Sequence, residues 1–336
     1  MPGNEFRIDP LSGQRSLIAP ARADRPGARF KIEPAPPIDA SKDPFAEGSE
    51  QRTPDELYAL RPGGGEPNSP GWKVRVVPNL YPALTPDAPE PEFHHDRDLY
   101  TAYPASGDHE VIINSQRSVI SLSELTEDEL SMAVGVWRER MRHHGESAYV
   151  HVIVNERAEA GASLPHTHTQ LYALDFVPAN VARERERFTA YSARTMGSNL
   201  LDNLLQEEVR LRKRLVAYDD EAVVLAPYAT RFPYEMMLVP RQPEPSFADS
   251  EREIAPLLRT ALLKLRTVLG ELPPLNIWIR TAPRGSEGYC WRIVIAPRLT
   301  HLAGLELGAG VNVSIVPPET AAQELREASP NSSGNA

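Results

Sequence analysis

Residues 155–174 read NERAEAGASLPHTHTQLYAL and are the most informative segment of the chain. Within this segment, Thr167–Leu174 alternates polar and apolar side chains, which predicts a β-strand. Alternate side chains of an extended strand share one face, so His166, His168 and Gln170 are expected to project together. The sequence therefore predicts two imidazoles and one amide on a single surface.

Small residues precede this histidine pair. Gly161, Ala162 and Ser163 allow close approach to the backbone and offer amide N–H groups and a hydroxyl to an anion. Neutral imidazole is a competent nucleophile near pH 7, and its phosphoryl adduct remains reactive enough to pass the group onward. Gln170 can donate a hydrogen bond to a phosphoryl oxygen as charge builds there. The segment predicts phosphoryl chemistry at the histidine pair, although H-x-H alone also occurs in metal sites and in ordinary polar strands.

Composition limits the class of protein. The 336 residues include 36 Lys+Arg against 46 Asp+Glu, and this net charge of -10 argues against nucleic-acid binding, which needs clustered basic residues. The single cysteine excludes an intrachain disulfide and a paired-thiolate zinc site, which predicts a cytoplasmic protein. No run approaches the roughly 18 apolar residues of a membrane helix, and the start MPGNEFRIDP lacks signal-peptide order. We expect a soluble protein that contacts no membrane.

The 33 prolines indicate many extended and turn segments, so an all-α fold is unexpected. Residues 1–72 are predicted to wrap a core and to end in a flexible loop, RPGGGEPNSPGW. The remaining chain divides into a first half at 73–178, a helical connector at 179–216, a second half at 217–327 and a disordered tail at 328–336. Strands are predicted in the first half at Lys73–Val77, Glu110–Ile113, Val150–Asn155 and Thr167–Leu174, with a helix at Thr126–His143.

The second half repeats the order of the first. VVLAPYATRFPYEMMLVP predicts a strand pair, Glu251–Leu269 predicts an amphipathic helix, and LNIWIR and YCWRIVIAPR predict two further strands. A repeated order of strands and helix is the pattern of internal duplication. The sequence therefore predicts an α+β fold of two related halves, each an antiparallel sheet with packed helices.

His166-Thr-His168-Thr-Gln170, preceded by Asn155 and GAS, resembles the active-site strand of the galactose-1-phosphate uridylyltransferase family, a branch of the histidine-triad superfamily. FRIDPLSGQRSLIAPARADRP, VRVVPNLYPAL, HEVII, APYATRFPYEMMLVP and AGLELGAGVNVSIVPPETAAQELRE are similar to further segments of that family. The resemblance covers about residues 5–327. It implies two histidine-triad-like halves duplicated in one chain, and a homodimer with its sites near the subunit boundary.

The resemblance also implies a ping-pong nucleotidyl transfer. His168 would attack the α-phosphorus of a nucleoside diphosphate sugar and release a sugar 1-phosphate, and a second sugar 1-phosphate would take the nucleotidyl group from the histidine. Gln170 and Ser163 would steady phosphoryl oxygens in both steps, with His166 beside them. The activity that this implies first is that of a UDP-glucose–hexose-1-phosphate uridylyltransferase of galactose metabolism.

Further residues are assigned by the same resemblance. Those expected at the nucleotide are Arg22, Arg25, Asn79, Asn155, Gly161 and Ala162. The guanidinium forks of the two arginines suit phosphate, although a solvated arginine pair on a loop would look the same in sequence. Those expected at the sugar or its phosphate are Arg292, Glu306 and Asn312. For Arg292, a solvent-facing position on an edge strand is the alternative.

The chain departs from the family at its zinc site. Many relatives hold zinc with C-P-x-C, a later histidine and the first histidine of the H-x-H strand. Here Asp43, Ala46 and Ser118 occupy the positions of three ligands, and only His166 remains. Because zinc is normally held by four such donors, we expect no metal and no cofactor, with His166 as an orienting residue or an oxyanion neighbour. In the second half Cys290 is expected to be a small buried residue.

Two other functions stay open at this level. The same residues suit an ADP-sugar phosphorylase or adenylyltransferase, or a nucleotide-sugar hydrolase in which water takes the nucleotidyl group. A nucleotide-binding protein without turnover is the second alternative, and it would fit the loss of the zinc ligands. Neither the base nor the hexose follows from the sequence, since one or two hydroxyl contacts discriminate epimers.

Overall fold

The computed structural model describes residues 3–25, 30–92 and 99–329. Two strands and the first half of the molecule come first along the chain: β1 (Glu5–Ile8), β2 (Arg15–Ile18), β3 (Tyr58–Leu60), β4 (Val74–Pro78), β5 (Gly107–Ile113), α1 (Glu127–His143), β6 (Tyr149–Glu156) and β7 (His168–Leu174). The connector contains α2 (Ala179–Arg194) and α3 (Leu200–Leu211). The second half and the C-terminal elements follow: β8 (Leu215–Tyr218), β9 (Ala222–Leu225), β10 (Met236–Pro240), α4 (Ala255–Leu269), β11 (Leu275–Arg280), β12 (Arg292–Pro297), α5 (Gly304–Ala309), β13 (Val311–Ser314) and α6 (Pro318–Glu327).

Ten of these strands form one antiparallel sheet, in the order β3-β4-β5-β7-β6-β11-β12-β10-β9-β8. Each half supplies five strands in mirrored order, and each half runs as three strands, a helix and two strands. The halves join where β6 pairs with β11, with Asn155 opposite Asn276. The predicted α+β class is confirmed. The two antiparallel sheets are continuous rather than separate, because pairing β6 with β11 satisfies backbone groups that two free edges would leave exposed.

Local signals explain most element boundaries. The side chain of Thr126 accepts a hydrogen bond from the Glu129 N–H, and the Glu129 carboxylate accepts one from the Thr126 N–H, so α1 begins where its capping box predicts. Helix α4 begins at Ala255 rather than Glu251, because Pro256 is tolerated only in a first turn. The expected connector overlaps β8, whose first residues Leu215 and Val216 are buried.

Successive side chains along each strand point to opposite faces of the large sheet. Side chains on one face pack against α1 and α4 in the main core, among them Ile112, Val152, Leu171, Ile277 and Ile295. Because Leu171 and Ala173 of β7 enter this core, His168, Gln170 and Tyr172 lie on the opposite face. In the second half, that opposite face is covered by an apolar cluster that includes residues of α2 and α3. The helices α1 and α4 thus lie on the face opposite the histidines, and in the first half a small apolar cluster that includes Phe45 and Trp72 packs on the histidine face.

The N-terminal segment is more regular than expected. β1 and β2 form a hairpin, and β13 adds parallel to β2 to complete a second, three-stranded sheet. This small sheet contacts the second half, where the Ser16 hydroxyl donates to the Ala229 carbonyl over 3.0 Å. Of the tail predicted to be disordered, residues 330–336 lie outside the described residues. Among the helices of the described ranges, none combines the length and apolarity needed to cross a membrane.

Candidate active site

His168 is the first residue of β7, and a single hydrogen bond sets its tautomer. Its Nδ1 donates to the backbone carbonyl of His166 over 2.8 Å, so the proton resides on Nδ1 and Nε2 carries the lone pair. Among the described residues Nε2 has no hydrogen-bond partner. The residue is 5% exposed, and the edge of the Phe45 ring packs against the imidazole at 5.3 Å between centroids. The ring is therefore held with its nucleophilic nitrogen unprotonated.

Burial lowers the pKa of His168 below the ordinary value for histidine. The nearby His166 lowers this pKa further, while the hydrogen bond to the His166 carbonyl and the charge of Asp43 oppose the shift. A lowered pKa keeps the imidazole neutral at pH 7. Neutral imidazole is the form that attacks phosphorus.

His166 lies immediately before β7 and is fully buried. Its Nδ1 donates to Asp43 Oδ2 over 2.6 Å, and its Nε2 lies 2.9 Å from the Ser115 carbonyl oxygen. The Ser118 hydroxyl donates to the same Asp43 oxygen over 2.6 Å. Both nitrogens of His166 are thus engaged by the protein, which excludes the expected alternative of an oxyanion neighbour. The orienting role stays as the prediction.

Gln170 is fixed by two donors that sequence reasoning missed. Its Oε1 accepts from His109 Nε2 over 3.0 Å and from the Tyr172 hydroxyl over 2.9 Å. The Ala83 N–H donates to His109 Nδ1 over 3.1 Å, which places the His109 proton on Nε2. With its oxygen accepting twice, the Gln170 amide nitrogen has no hydrogen-bond partner among the described residues and is left as a donor. The signal was available in HEVII, since the cross-strand pairing of His109 with Tyr172 puts both on the Gln170 face.

Two predicted asparagines lie next to this group. The Asn79 backbone N–H donates to the His109 carbonyl over 2.9 Å, and its side-chain oxygen accepts from the Tyr81 N–H. Asn155 Oδ1 accepts from Asn276 Nδ2 over 2.8 Å, which leaves the Asn155 amide nitrogen facing the turn at Gly161. The structure therefore brings the two asparagines to the face that carries His168 and Gln170.

The family model for the N-terminal domain of galactose-1-phosphate uridyl transferase matches residues 3–178, more than half of the chain. The chain belongs to the galactose-1-phosphate uridyl transferase family. A second model, a domain of unknown function (DUF4921), matches residues 107–329.

Relatives of the family cover nearly the whole molecule. An ADP-glucose phosphorylase from Arabidopsis thaliana is 28% identical over 338 residues, which cover 97% of this chain and 93% of the relative. A galactose-1-phosphate uridylyltransferase from Haemophilus influenzae is 29% identical over 301 residues, which cover 85% and 81%. Among solved structures, the Arabidopsis ADP-glucose phosphorylase with bound ADP-glucose superposes with a TM-score of 0.80 at 28% identity, covering 97% of this chain and all of that one. A uridylyltransferase structure gives 0.74 at 26% identity, covering 96% and 98%.

The zinc site that the family resemblance implies does not fit the residues present. Asp43 Oδ2 already accepts two hydrogen bonds, from His166 and Ser118, and its Oδ1 accepts one from the Phe45 N–H over 2.9 Å. Ala46 offers only a methyl group, so the set lacks the four donors that zinc requires. Within residues 3–25, 30–92 and 99–329, no three His, Cys, Asp or Glu residues are grouped to hold a metal.

The small residues before the family's histidine strand form a turn rather than an open amide cradle. The N–H groups of Gly161 and Ala162 donate to the carbonyls of Ala158 and Arg157, so neither amide is free for an anion in this conformation. Gly161 has φ of 91°, a left-handed conformation that side chains rarely adopt. Ser163 follows, is exposed, and is the member of the GAS triplet left to contact a phosphate.

Four predicted ligand residues lie in segments that form or flank the three-stranded sheet. Arg22 and Arg25 are exposed after β2, in and just after a short 3₁₀ turn. Glu306 accepts from the Ala303 N–H at the start of α5, and Asn312 on β13 pairs with Ser16. In the described part of the chain, no hydrogen bond or ion pair links these four residues to His168. Their assignment to the nucleotide and the sugar stays a prediction.

Arg292 does not face solvent, which was the alternative to its expected role. It begins β12, an interior strand of the sheet, and is 4% exposed. Its Nη2 donates to Glu184 Oε2 over 2.7 Å, and the Tyr289 hydroxyl donates to the same oxygen. The arginine is therefore a buried ion-pair residue of the second half, an environment that the sequence did not predict. Cys290 is buried as expected, and burial raises the pKa of its thiol to about 12.

Proposed function

We propose that this protein is a nucleotidyltransferase that carries a nucleotidyl group from a nucleoside diphosphate sugar to a phosphate-bearing acceptor through a covalent adduct on His168. The observation that carries the proposal is the unprotonated Nε2 of a neutral His168, held by its Nδ1 hydrogen bond next to the amide of Gln170. The family membership and the fold agree with this chemistry.

In the first step, the Nε2 lone pair of His168 attacks the α-phosphorus. The new N–P bond forms as the bond from α-phosphorus to the bridging oxygen breaks, and the sugar 1-phosphate leaves with that electron pair. The Nδ1 proton stays on the ring, so the adduct is cationic, and the His166 carbonyl accepts its hydrogen bond throughout. The Gln170 amide donates to a non-bridging oxygen as negative charge builds there.

In the second step, an oxygen of the acceptor phosphate attacks the same phosphorus. The N–P bond breaks and its electrons return to Nε2, which restores the neutral ring. No general base is required, because the acceptor is already an oxyanion. Water in the acceptor position would give hydrolysis, so the site must favour a bound phosphate over solvent.

Two assignments of donor and acceptor follow from this chemistry. The family resemblance favours UDP-glucose as donor and hexose 1-phosphate as acceptor, which is uridylyl transfer in galactose metabolism. The second candidate is phosphorolysis of an ADP-sugar with inorganic phosphate as acceptor. It is supported by the Arabidopsis ADP-glucose phosphorylase, which matches 97% of the chain with a TM-score of 0.80 against 0.74 for the uridylyltransferase.

Intact-protein mass spectrometry separates these candidates. The protein is incubated with UDP-glucose or ADP-glucose, then with galactose 1-phosphate, inorganic phosphate or buffer. We expect an adduct of one nucleotidyl group with the preferred donor, discharged by the preferred acceptor. His168→Ala should give no adduct, while His301→Ala, an exposed histidine, should match wild type. Loss of the adduct in buffer alone indicates a hydrolase, and no adduct with either donor indicates a binding protein without turnover.

We further propose that Arg22, Arg25, Glu306 and Asn312 serve the histidine site of a second copy in a homodimer. They lie after β2, on α5 and on β13, and among the described residues none has a hydrogen bond or ion pair to His168 of its own subunit. Mixing His168→Ala with Arg22→Ala/Arg25→Ala subunits tests this, because each mixed dimer then contains one intact site. Random exchange predicts recovery of about a quarter of wild-type activity. No recovery, with subunit exchange verified by mass, would contradict shared sites.

A further inference from the structure

A buried carboxylate lies directly behind the nucleophile. Asp43, Ser118 and His166 form a group that we call the Asp43 clamp. The Asp43 side chain is 1% exposed, and all of its hydrogen bonds are internal: from His166 and Ser118 to Oδ2, and from the Phe45 N–H to Oδ1. Each of these hydrogen bonds ends on a carboxylate oxygen of Asp43, which accepts all three. The clamp is therefore a buried carboxylate surrounded by donors.

The clamp is connected to the reactive nitrogen through one residue. His166 is hydrogen-bonded through Nδ1 to Asp43 and through Nε2 to the Ser115 carbonyl, and these two contacts fix the orientation of its ring. The backbone carbonyl of the same residue accepts the Nδ1 proton of His168. The backbone between the two histidines is held as well, since the Thr167 N–H donates to the Val119 carbonyl over 2.7 Å. Fixing His166 thus fixes the acceptor that selects the tautomer of His168.

The charges of the clamp balance each other. Nδ1 of His166 faces the Asp43 carboxylate and its Nε2 faces a carbonyl oxygen, and because a carbonyl oxygen only accepts, both nitrogens of His166 donate. A carboxylate that hydrogen-bonds the residue behind a functional imidazole is a recurrent way of orienting it. The clamp therefore acts on His168 through the position of His166 rather than through a net charge.

We propose that Asp43 is a positioning residue for nucleotidyl transfer, and that its carboxylate, with Ser118, orients His166 and through it His168 without a metal ion. The proposal rests on the proposed function, because it concerns the step at His168. It assigns to a hydrogen-bonded carboxylate the orienting task that four metal ligands would perform. Asp43 touches neither the substrate nor the reacting nitrogen.

Rapid-quench measurement tests whether the clamp affects the rate of adduct formation. Asp43→Asn keeps the shape and removes the charge, Asp43→Ala removes the clamp, and Ser118→Ala removes one donor. Asp39→Asn, an exposed carboxylate four residues away, is the matched control. We expect adduct formation to slow by about 10- to 100-fold in the two Asp43 variants, with a smaller loss in Ser118→Ala and little change in donor affinity. Wild-type rates in folded Asp43→Asn and Ser118→Ala would overturn the proposal, even if Asp43→Ala failed to fold.

Nitrogen-15 NMR of the histidine rings measures their tautomers. Replacing a residue with a purely structural role would leave the tautomer of His168 unchanged. In wild type, His168 should show a protonated Nδ1 and a bare Nε2, whereas the Asp43 variants should show a mixture of tautomers. An unchanged tautomer in both Asp43 variants would contradict the proposal. This measurement needs no substrate, so it remains decisive if wild type forms no adduct and the proposed function itself fails.

Metal analysis tests independently whether the clamp works without a metal ion. We expect the purified protein to contain less than stoichiometric zinc, and adduct formation to be unchanged after treatment with 1,10-phenanthroline. Inactivation by the chelator with recovery on adding zinc would overturn the claim that the clamp works without a metal.

Discussion

The protonation state of His168 controls the pH dependence of adduct formation. Its pKa lies below 6.5, chiefly because burial disfavours the charged ring, and the reactive form is the neutral one. The rate should therefore fall on acidification with a midpoint below the ordinary histidine pKa of about 6.5. Rapid-quench rates between pH 4.5 and 8.5 measure this profile. A midpoint at or above pH 6.5 would mean that the pKa of the ring is not lowered in the way that its burial predicts.

Tyr172 affects the same step through Gln170. Tyr172→Phe removes the hydroxyl that donates to Gln170 Oε1 but keeps the ring stacked on His109, whose centroid lies 4.1 Å away. Loss of one such hydrogen bond is worth about 0.5–1.5 kcal/mol, which corresponds to about a two- to tenfold slower adduct formation. Tyr218→Phe, an exposed tyrosine, is the control. Equal rates for both variants would show that His109 alone orients the amide.

Individual site residues differ in how far the sequence determines them. The shared face of His168 and Gln170 follows from strand alternation, which is a local property of β7. The partner of His166 does not, because Asp43 lies 123 residues earlier in the chain and no periodicity connects the two. The buried ion pair of Arg292 was not predictable for a related reason: its environment depends on Glu184 of α2, more than 100 residues away.

At the scale of elements, β6 carries a carboxyl group with a strongly raised pKa, Glu156. Burial raises the pKa of Glu156 from 4.5 to about 7. The Leu122 N–H donates to its carboxylate over 2.7 Å, and this hydrogen bond opposes the shift. Because the folded pKa is raised, the folded state binds more protons than the unfolded state between these two values. This group therefore makes stability fall as pH rises from about 4.5 to 7.

Glu156→Gln keeps the acceptor for the Leu122 N–H and removes the titration. We expect the variant to gain stability relative to wild type as pH increases from 5 to 8, by at most about 3 kcal/mol. Urea unfolding at both pH values measures the difference. A gap that is the same at pH 5 and pH 8 would show that Glu156 does not titrate in this window.

The helix and strand pattern was largely predictable from sequence. The capping box of Thr126 and Glu129 set the start of α1, and alternation in YVHVIVNE and HTQLYAL gave β6 and β7. The small sheet was missed because β13 pairs with β2 nearly 300 residues earlier, and such pairing leaves no local signal. β3 was missed because it contains only three residues.

For the whole molecule, the duplicated order makes β12 the counterpart of β7, and the two strands begin with Arg292 and His168 respectively. The second half thus has a buried ion pair where the first has its nucleophile. Arg292→Leu would leave Glu184 buried with a weaker partner, Arg280 at 3.6 Å. We expect a loss of about 3–5 kcal/mol in the free energy of unfolding. A catalytic rate per folded molecule close to wild type would accompany it, and a catalytic loss without destabilisation would contradict this assignment.

The most direct measurement of the central claim is peptide mapping of the protein quenched during turnover with its nucleotide-sugar donor. We predict one acid-labile nucleotidyl group per chain, located on His168 and discharged by the phosphate-bearing acceptor. A nucleotidyl group on any other residue, or turnover with no trapped adduct under alkaline quench, would contradict transfer through this histidine.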